Sequence, residues 1–198
     1  MATISIVGIA GSVVRPSRTT ALVNAVVDVL SSRIDAKATL IELADTAPAL
    51  FDALTPDRLE GEAKAIVRTV ETADLLVVGS PVYRASYTGA LKHLFDLIRH
   101  DALSGKPVIL TATGGSQLHG LVTEHQLRPL FGFFNALSLP TAVYATEADF
   151  RDYRIVNPVI NDRIERAVTE AVGLFRTRSP LRITPDIHAA RVPAAVNA

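Results

Sequence analysis

The sequence has no cysteine, no tryptophan and a single methionine, and its charges cancel. Without cysteine, disulfide bonds, thiol catalysis and cysteine-ligated metal clusters are excluded. The 20 basic side chains equal the 20 acidic ones. The chain therefore has neither the basic excess of a nucleic-acid-binding protein nor the acidity of a highly charged electron carrier. We expect no nucleic acid among its partners.

Long hydrophobic runs are also missing. No apolar stretch approaches the ~20 residues that cross a bilayer. The N-terminal apolar run has no basic segment before it and leads directly into a charged loop, unlike a signal peptide. We therefore expect no membrane association and a cytoplasmic location. The 198 residues predict one domain with a substantial core over residues 1–178, followed by an extended or partly disordered C-terminal tail over residues 179–198.

Short apolar runs alternate with amphipathic helical patterns along the domain. The runs predict five strands, near residues 4–10, 38–43, 74–80, 108–112 and 141–144. The helical patterns predict five helices, which begin near residues 19 and 57, span about 88–99, extend from the 113–116 loop to about 137, and span about 157–176. The stretch 44–56 contains two prolines and is predicted to be a loop. This alternation is typical of a parallel sheet with helices on both faces.

The loop after the first strand has the composition of a phosphate site. It contains two arginines and four hydroxyl residues, namely Ser12, Arg15, Ser17, Arg18, Thr19 and Thr20. Free N–H groups at the start of the following helix, together with the helix dipole, favour an anion there. A simple helix cap accounts for one hydroxyl residue, but not for this concentration. Nucleotide motifs such as Gly-x-x-x-x-Gly-Lys-Ser/Thr and Gly-x-Gly-x-x-Gly are absent, so a terminal monophosphate is the better match.

Two further loops follow strands of the predicted sheet, over residues 81–87 and 113–116. Ligands of open parallel sheets bind beyond the carboxyl ends of the strands, so we expect these loops to meet the phosphate loop there. Gly114 and Gly115 allow backbone to approach a flat ligand closely. Pro81, Val82 and Tyr83 offer a stiff apolar edge and a ring. Each loop taken alone is equally well described as a connecting turn.

Other catalytic constellations are missing. No Gly-x-Ser-x-Gly motif exposes a nucleophilic serine. The histidine pairs, His93 with His100 and His119 with His125, have no carboxylate at the spacing of a metal ligand. We predict no metal site and assign no residue as a general acid or base.

Three segments carry a resemblance to a known family. They are GSVVRPSRT at residues 11–19, GSPVYRASYTGALK at residues 79–92, and ATGGS at residues 112–116. In this order and spacing they resemble the signature segments of the NAD(P)H-dependent FMN reductases. The chain is most similar to the reductase components of two-component alkanesulfonate and methanesulfonate monooxygenase systems. The likeness covers about residues 3–176.

The resemblance implies a flavodoxin-like three-layer fold with strand order 2-1-3-4-5 over residues 1–178, and assembly as a homodimer or homotetramer. It implies hydride transfer from NADH or NADPH to FMN, with the reduced FMN supplied to a flavin-dependent monooxygenase. The phosphate would be held by Ser12, Arg15, Ser17, Arg18 and Thr19. The ribityl chain and ring would be lined by Pro81, Val82, Tyr83 and Arg84, and the ring edge by Thr113, Gly114, Gly115 and Ser116.

Two alternative functions share much of this pattern. A reductase that keeps FMN and passes hydride to quinones or azo compounds would use the same loops. A flavodoxin-type electron carrier would also bind FMN, but such carriers are expected to be acidic and to clamp the ring between aromatic side chains. The neutral charge and the lack of tryptophan argue against the carrier.

His125 interrupts the long predicted helix. The apolar phase slips between Val122 and Leu127, as one extra residue accommodated in a π-bulge would cause. The related sulfonate-system reductases carry an inserted residue there, often tyrosine, in a π-helix at a tetramer interface. We therefore predict that His125 lies in a π-bulge at a subunit interface near the flavin, where it helps reduced flavin leave. The alternative is a polar residue on a surface turn.

Overall fold

A parallel sheet forms the centre of the protein, in a computed structural model that describes residues 3–177. Strands β1 (Ile4–Ala10), β2 (Ala36–Glu42), β3 (Leu75–Pro81) and β4 (Pro107–Gly114) lie in the order β2-β1-β3-β4. The next position is shared by two short strands. β5 (Leu137–Ser138) pairs with the start of β4, and β6 (Val143–Thr146) pairs with its end. The predicted parallel order 2-1-3-4-5 is confirmed.

Six α-helices cover the two faces of the sheet within the described part of the chain. Their bounds are α1 (Arg18–Arg33), α2 (Leu43–Phe51), α3 (Gly61–Thr72), α4 (Gly89–Leu97), α5 (Arg128–Phe133) and α6 (Pro158–Thr177). Helices α1 and α6 pack on one face, and α2 to α5 pack on the other. β3 and β4 are buried along almost their whole length because both faces are covered. This explains their continuous apolar sequences.

The predicted loop at 44–56 is wrong, since most of it is helix α2. Pro48 removes one hydrogen bond inside that helix, but the helix buries Leu43, Ala47 and Leu50 against the sheet. Burial of three apolar side chains outweighs the loss of one backbone bond. The helix predicted from residue 57 starts later, with a 3₁₀ turn at Pro56–Arg58 before α3.

The long helix predicted to reach residue 137 is divided into three pieces. A 3₁₀ turn at Gln117–His119 and a π-helical turn at Thr123–Leu127 precede α5, which ends at Phe133. The Arg128 N–H group reaches back five residues to the Thr123 carbonyl oxygen, the hydrogen bond that defines a π-turn. The predicted π-bulge containing His125 is therefore confirmed. His125 itself is exposed.

A small antiparallel hairpin, β7 (Phe150–Arg151) and β8 (Arg154–Ile155), precedes α6 and is absent from the predicted elements. No helix over residues 3–177 combines the length and hydrophobicity that a membrane span requires. The predicted tail at 179–198 lies outside the described residues.

Candidate flavin site at the carboxyl edge of the sheet

The first loop lies where β1 passes into α1. The Gly11 N–H group donates a hydrogen bond of 2.7 Å to the carbonyl oxygen of Gly79, and a Cβ atom at Gly11 would lie 2.8 Å from that oxygen. Only glycine lets the loop leave the sheet this close to β3. Ser17 caps α1, and its hydroxyl accepts from the Thr20 N–H group at 3.3 Å. Ser12 is almost completely buried in the same loop.

Two backbone donors at the start of α1 are free. Within residues 3–177, the N–H groups of Arg18 and Thr19 have no hydrogen-bond acceptor, as is usual in the first turn of a helix. The hydroxyl groups of Thr19 and Thr113 meet at 2.6 Å in a buried contact that ties the helix start to the end of β4. Free donors and the helix dipole together favour an anion at this point.

Arg18 extends from this helix start toward the segment that follows β6. Its guanidinium forms an ion pair with Glu147. The guanidinium carbon also lies 5.9 Å from the centre of the Tyr153 ring, within the range of a cation–π interaction. Arg18 is therefore held at the loop between a carboxylate and an aromatic face.

Arg15, which was predicted to join Arg18 at one phosphate, lies elsewhere in the structure. Its guanidinium pairs with Glu42 at the end of β2 and, at 2.5 Å, with Asp45 in α2. Glu42 also accepts a hydrogen bond of 3.1 Å from the Thr20 hydroxyl. Arg15 lines an adjoining cavity of about 830 Å³ between α1 and the hairpin, which shares Pro16, Ser17 and Tyr153 with the cavity described below. The structure does not bring it together with Arg18, because two carboxylates draw it toward β2 and α2.

The second loop is a tight turn that exposes a tyrosine ring. Tyr83 and Ser86 exchange both backbone hydrogen bonds, at 2.9 and 3.1 Å. Between them, Arg84 and Ala85 have φ angles of 51° and 66°, a left-handed conformation that side chains disfavour. The Val82 N–H group donates to the Thr113 carbonyl oxygen at 2.8 Å, which joins this loop to the third.

The third loop is shaped by Tyr144 of β6. The Tyr144 hydroxyl donates a hydrogen bond of 2.5 Å to the Ser116 carbonyl oxygen. A Cβ atom at Gly114 would lie 2.2 Å from that hydroxyl, whereas a Cβ atom at Gly115 would meet no atom within 4 Å. Burial raises the pKa of the Tyr144 hydroxyl, and the nearby charge of Asp149 adds to this shift. The phenol therefore remains a neutral donor that holds the loop in place.

The three loops enclose a cavity of about 220 Å³. From the predicted site it contains Ser12, Ser17, Arg18, Thr19, Pro81, Val82, Tyr83, Thr113, Gly114 and Gly115. Arg15, Arg84 and Ser116 do not line it. Four residues that were not predicted do line it: Val14, Pro16, Glu147 and Tyr153.

Glu147 and Tyr153 reach the cavity on a rigid segment after β6. The Thr146 N–H and hydroxyl groups donate to the Asp149 carboxylate at 2.6 and 2.9 Å, and the Asn157 amide donates to it at 2.5 Å. Burial alone would raise the pKa of Asp149, but these hydrogen bonds outweigh it and hold that pKa below its ordinary value. The Thr-x-x-Asp spacing is a capping-box signal that was readable in the sequence. This spacing does not indicate that the turn would lie beside the three loops.

The donor set fits a flavin phosphate and ring. Hydroxyl groups, free N–H groups and a guanidinium line the cavity together with the backbone of Gly114 and Gly115. Among residues 3–177, no group of three or more His, Asp or Glu side chains is placed to hold a metal ion.

The sequence profile of the NADPH-dependent FMN reductases matches residues 4–150. The chain belongs to this family. Among the FMN reductases similar to it, the NADH-dependent FMN reductase SfnF of Pseudomonas fluorescens is 50% identical over 174 residues, covering 88% of this chain and 93% of the relative. An FMN reductase (NADPH) of Pseudomonas aeruginosa is 48% identical over 176 residues, covering 89% and 95%.

Solved structures share the fold of this chain. An oxidoreductase from Corynebacterium diphtheriae has a TM-score of 0.78 and 34% identity, covering 89% of this chain and 99% of that one. A WrbA-like flavodoxin from Agrobacterium tumefaciens has a TM-score of 0.61 at 14% identity, covering 88% and 99%. The second likeness is one of fold alone and confirms the flavodoxin-like architecture.

Proposed function

We propose that this protein reduces FMN with a nicotinamide cofactor and supplies the reduced flavin to a flavin-dependent monooxygenase of the alkanesulfonate or methanesulfonate type. One observation carries the proposal. Arg18, the free N–H groups at the start of α1, and the backbone of Gly114 and Gly115 lie at one cavity. Relatives named for NADH and for NADPH are about equally similar. Both cofactors are therefore retained in the proposal.

The phosphate would be bound by Ser12, Ser17, Arg18 and Thr19 at the start of α1. The ribityl chain and ring would lie against Pro81, Val82 and Tyr83. Thr113, Gly114 and Gly115 would border the ring edge. The other three predicted positions, Arg15, Arg84 and Ser116, do not line this cavity, and their side chains would have to move to take part.

A bound FMN would accept, at flavin N5, the hydride that the nicotinamide C4 atom would supply. The chain contributes orientation and polar contacts rather than proton transfer, since no residue of the cavity is assigned as an acid or base. The N–H group of Gly115 has no acceptor among the described residues. It would be available to stabilise negative charge on a bound ring.

We propose that FMN exchanges as a substrate and is not held permanently. Tyr83 and Tyr153 are the aromatic side chains that line the cavity, and both are substantially exposed. They do not form a closed aromatic sandwich around a ring. This supports a reductase that releases reduced flavin over an electron carrier, and no observation favours quinone or azo substrates.

We further propose that the chain assembles as a homodimer or homotetramer in the cytoplasm. Leu118 and Leu121, between the third loop and the π-turn, are 90% and 62% exposed, and Phe133 at the end of α5 is 69% exposed. Several exposed apolar side chains in one stretch of the chain support a surface that another subunit would cover. The position of His125 in the same stretch supports its proposed place at that interface.

Arg18→Ala tests the flavin assignment. It should weaken FMN binding by about 1.5–3 kcal/mol, because a charged hydrogen-bond partner of the phosphate is lost. Riboflavin, which has no phosphate, should be affected far less. Fluorescence titration of both flavins measures the difference, and Arg15→Ala is the comparison variant, with a smaller expected loss. Equal losses for FMN and riboflavin in Arg18→Ala would remove Arg18 from the phosphate site.

A further inference from the structure

Glu147 places a negative charge inside the proposed phosphate site. Its carboxylate pairs with Arg18 and lines the same cavity as the hydroxyl groups of Ser12 and Ser17. A carboxylate and a phosphate compete for one guanidinium, since the oxygen atoms of both accept its paired N–H groups. In this structure, the guanidinium of Arg18 therefore pairs with a side chain of the protein itself.

The backbone around Glu147 is fixed while its side chain is free to turn. Asp149 anchors the turn through hydrogen bonds from Thr146 and Asn157, and its own carbonyl oxygen accepts from the Val156 N–H group at 2.9 Å. The Glu147 side chain is 70% exposed. Apart from Arg18, no described residue donates a hydrogen bond to it.

These features indicate that Glu147 competes with a ligand for Arg18 and does not serve to hold Arg18 in position. A supporting carboxylate would lie behind the guanidinium and be held by other donors. Glu147 instead lines the cavity itself, and its side chain has no second hydrogen-bond partner among residues 3–177. Because it is attached to a rigid turn, its effective concentration near Arg18 is high, and it can take the guanidinium whenever a ligand leaves.

We infer that Glu147 is a positioning residue that competes with the flavin phosphate for Arg18 and so sets how readily FMN and reduced FMN leave. This inference rests on the proposed function, because it assumes that the phosphate binds at Arg18. Through Glu147, a protein that releases reduced flavin to another enzyme would keep its affinity for phosphate-bearing flavins low.

Glu147→Gln removes the competing charge and keeps the shape of the side chain. The dissociation constant for FMN should fall by about three- to twenty-fold. An exposed ion pair contributes a factor of about two to five, and relief of like-charge repulsion with the phosphate contributes a further few-fold. The FMN dissociation rate should slow by a similar factor, and the KM for FMN should fall. Riboflavin affinity should change less than about two-fold, since only the phosphate meets the charge.

Glu165→Gln is the matched control. Glu165 forms an exposed ion pair with Arg33 at 2.6 Å, at the far end of α1. The substitution changes the net charge by the same amount as Glu147→Gln, but it should leave both flavin affinities unchanged. Glu147→Asp, which keeps the carboxylate, should retain most of the wild-type dissociation rate.

Stopped-flow dissociation and fluorescence titration of both flavins separate the outcomes. If the wild-type protein binds FMN and riboflavin equally, the phosphate assignment itself fails. If the wild-type protein prefers FMN but Glu147→Gln binds FMN as before or more weakly, the phosphate assignment stands and the competitor role is overturned. A tightening shared equally by riboflavin, or reproduced by Glu165→Gln, would also overturn it.

Discussion

Gly114 is the position where one added methyl group would test the third loop most directly. An alanine Cβ atom there would lie 2.2 Å from the Tyr144 hydroxyl oxygen and 3.1 Å from the adjacent ring carbon. The tyrosine would have to move, and its hydroxyl would lose the 2.5 Å hydrogen bond to the Ser116 carbonyl oxygen. The Tyr144 ring also packs against the core on the α2–α5 face, so its displacement would disturb buried side chains.

The expected cost of Gly114→Ala has two parts. Overpacking of a well-packed site costs about 1–3 kcal/mol, and the lost hydrogen bond costs about 0.5–1.5 kcal/mol. We therefore expect the free energy of unfolding to fall by about 2–4 kcal/mol, measured as a lower midpoint in urea at an unchanged slope. FMN affinity should fall as well, because Tyr144 positions the loop that borders the proposed ring site.

Two further variants decide whether this reasoning is right. Gly115→Ala should change the free energy of unfolding by less than about 0.5 kcal/mol, since no atom lies within 4 Å of its Cβ position. In a Tyr144→Phe background, which lacks the hydroxyl oxygen, Gly114→Ala should cost at least about 1 kcal/mol less than in the wild type. Additive effects of the two changes, or equal destabilisation by Gly114→Ala and Gly115→Ala, would refute the argument.

Two other predictions concern the segment after β6 and the π-turn. Asp149→Asn should lower the free energy of unfolding at neutral pH by about 1–2 kcal/mol. Because the folded-state pKa of Asp149 lies below its ordinary value, this contribution is present above about pH 4 and is lost as the pH falls through the folded-state pKa. Urea unfolding should show the two proteins converging in acid, and a difference constant across pH would contradict this. Deletion of His125 should restore a regular helix and displace Gln126 from the Ser86 hydroxyl that donates to it at 3.0 Å, altering the oligomer and raising flavin retention. Unchanged assembly, FMN affinity and delivery of reduced FMN would refute the role of the π-turn.

Much of the fold and the general location of the site were predictable from local patterns. β3 and β4 are covered on both faces, and a strand buried in this way has a continuous apolar sequence. In a parallel sheet, every loop after a strand lies at the same edge. The three loops over residues 11–19, 81–87 and 113–116 could therefore be placed together without coordinates. The π-turn at His125 was predictable for a related reason, since a one-residue slip in helical phase is a local feature of the sequence.

The tertiary structure decided the partners of the long side chains and the elements with weak local signals. Arg15 and Arg18 are both arginines of the first loop. In the folded protein Arg15 pairs with Glu42 and Asp45, whereas Arg18 pairs with Glu147. These carboxylates belong to other segments of the chain, and no periodicity in the sequence predicts which arginine each of them meets. Helix α2 likewise forms around Pro48 because the sheet offers a surface that buries its apolar face. A helix forms despite an unfavourable local helix propensity when the burial of its apolar side chains stabilises the fold by more than that propensity costs. The charge balance at the proposed phosphate site is therefore a property of the folded protein.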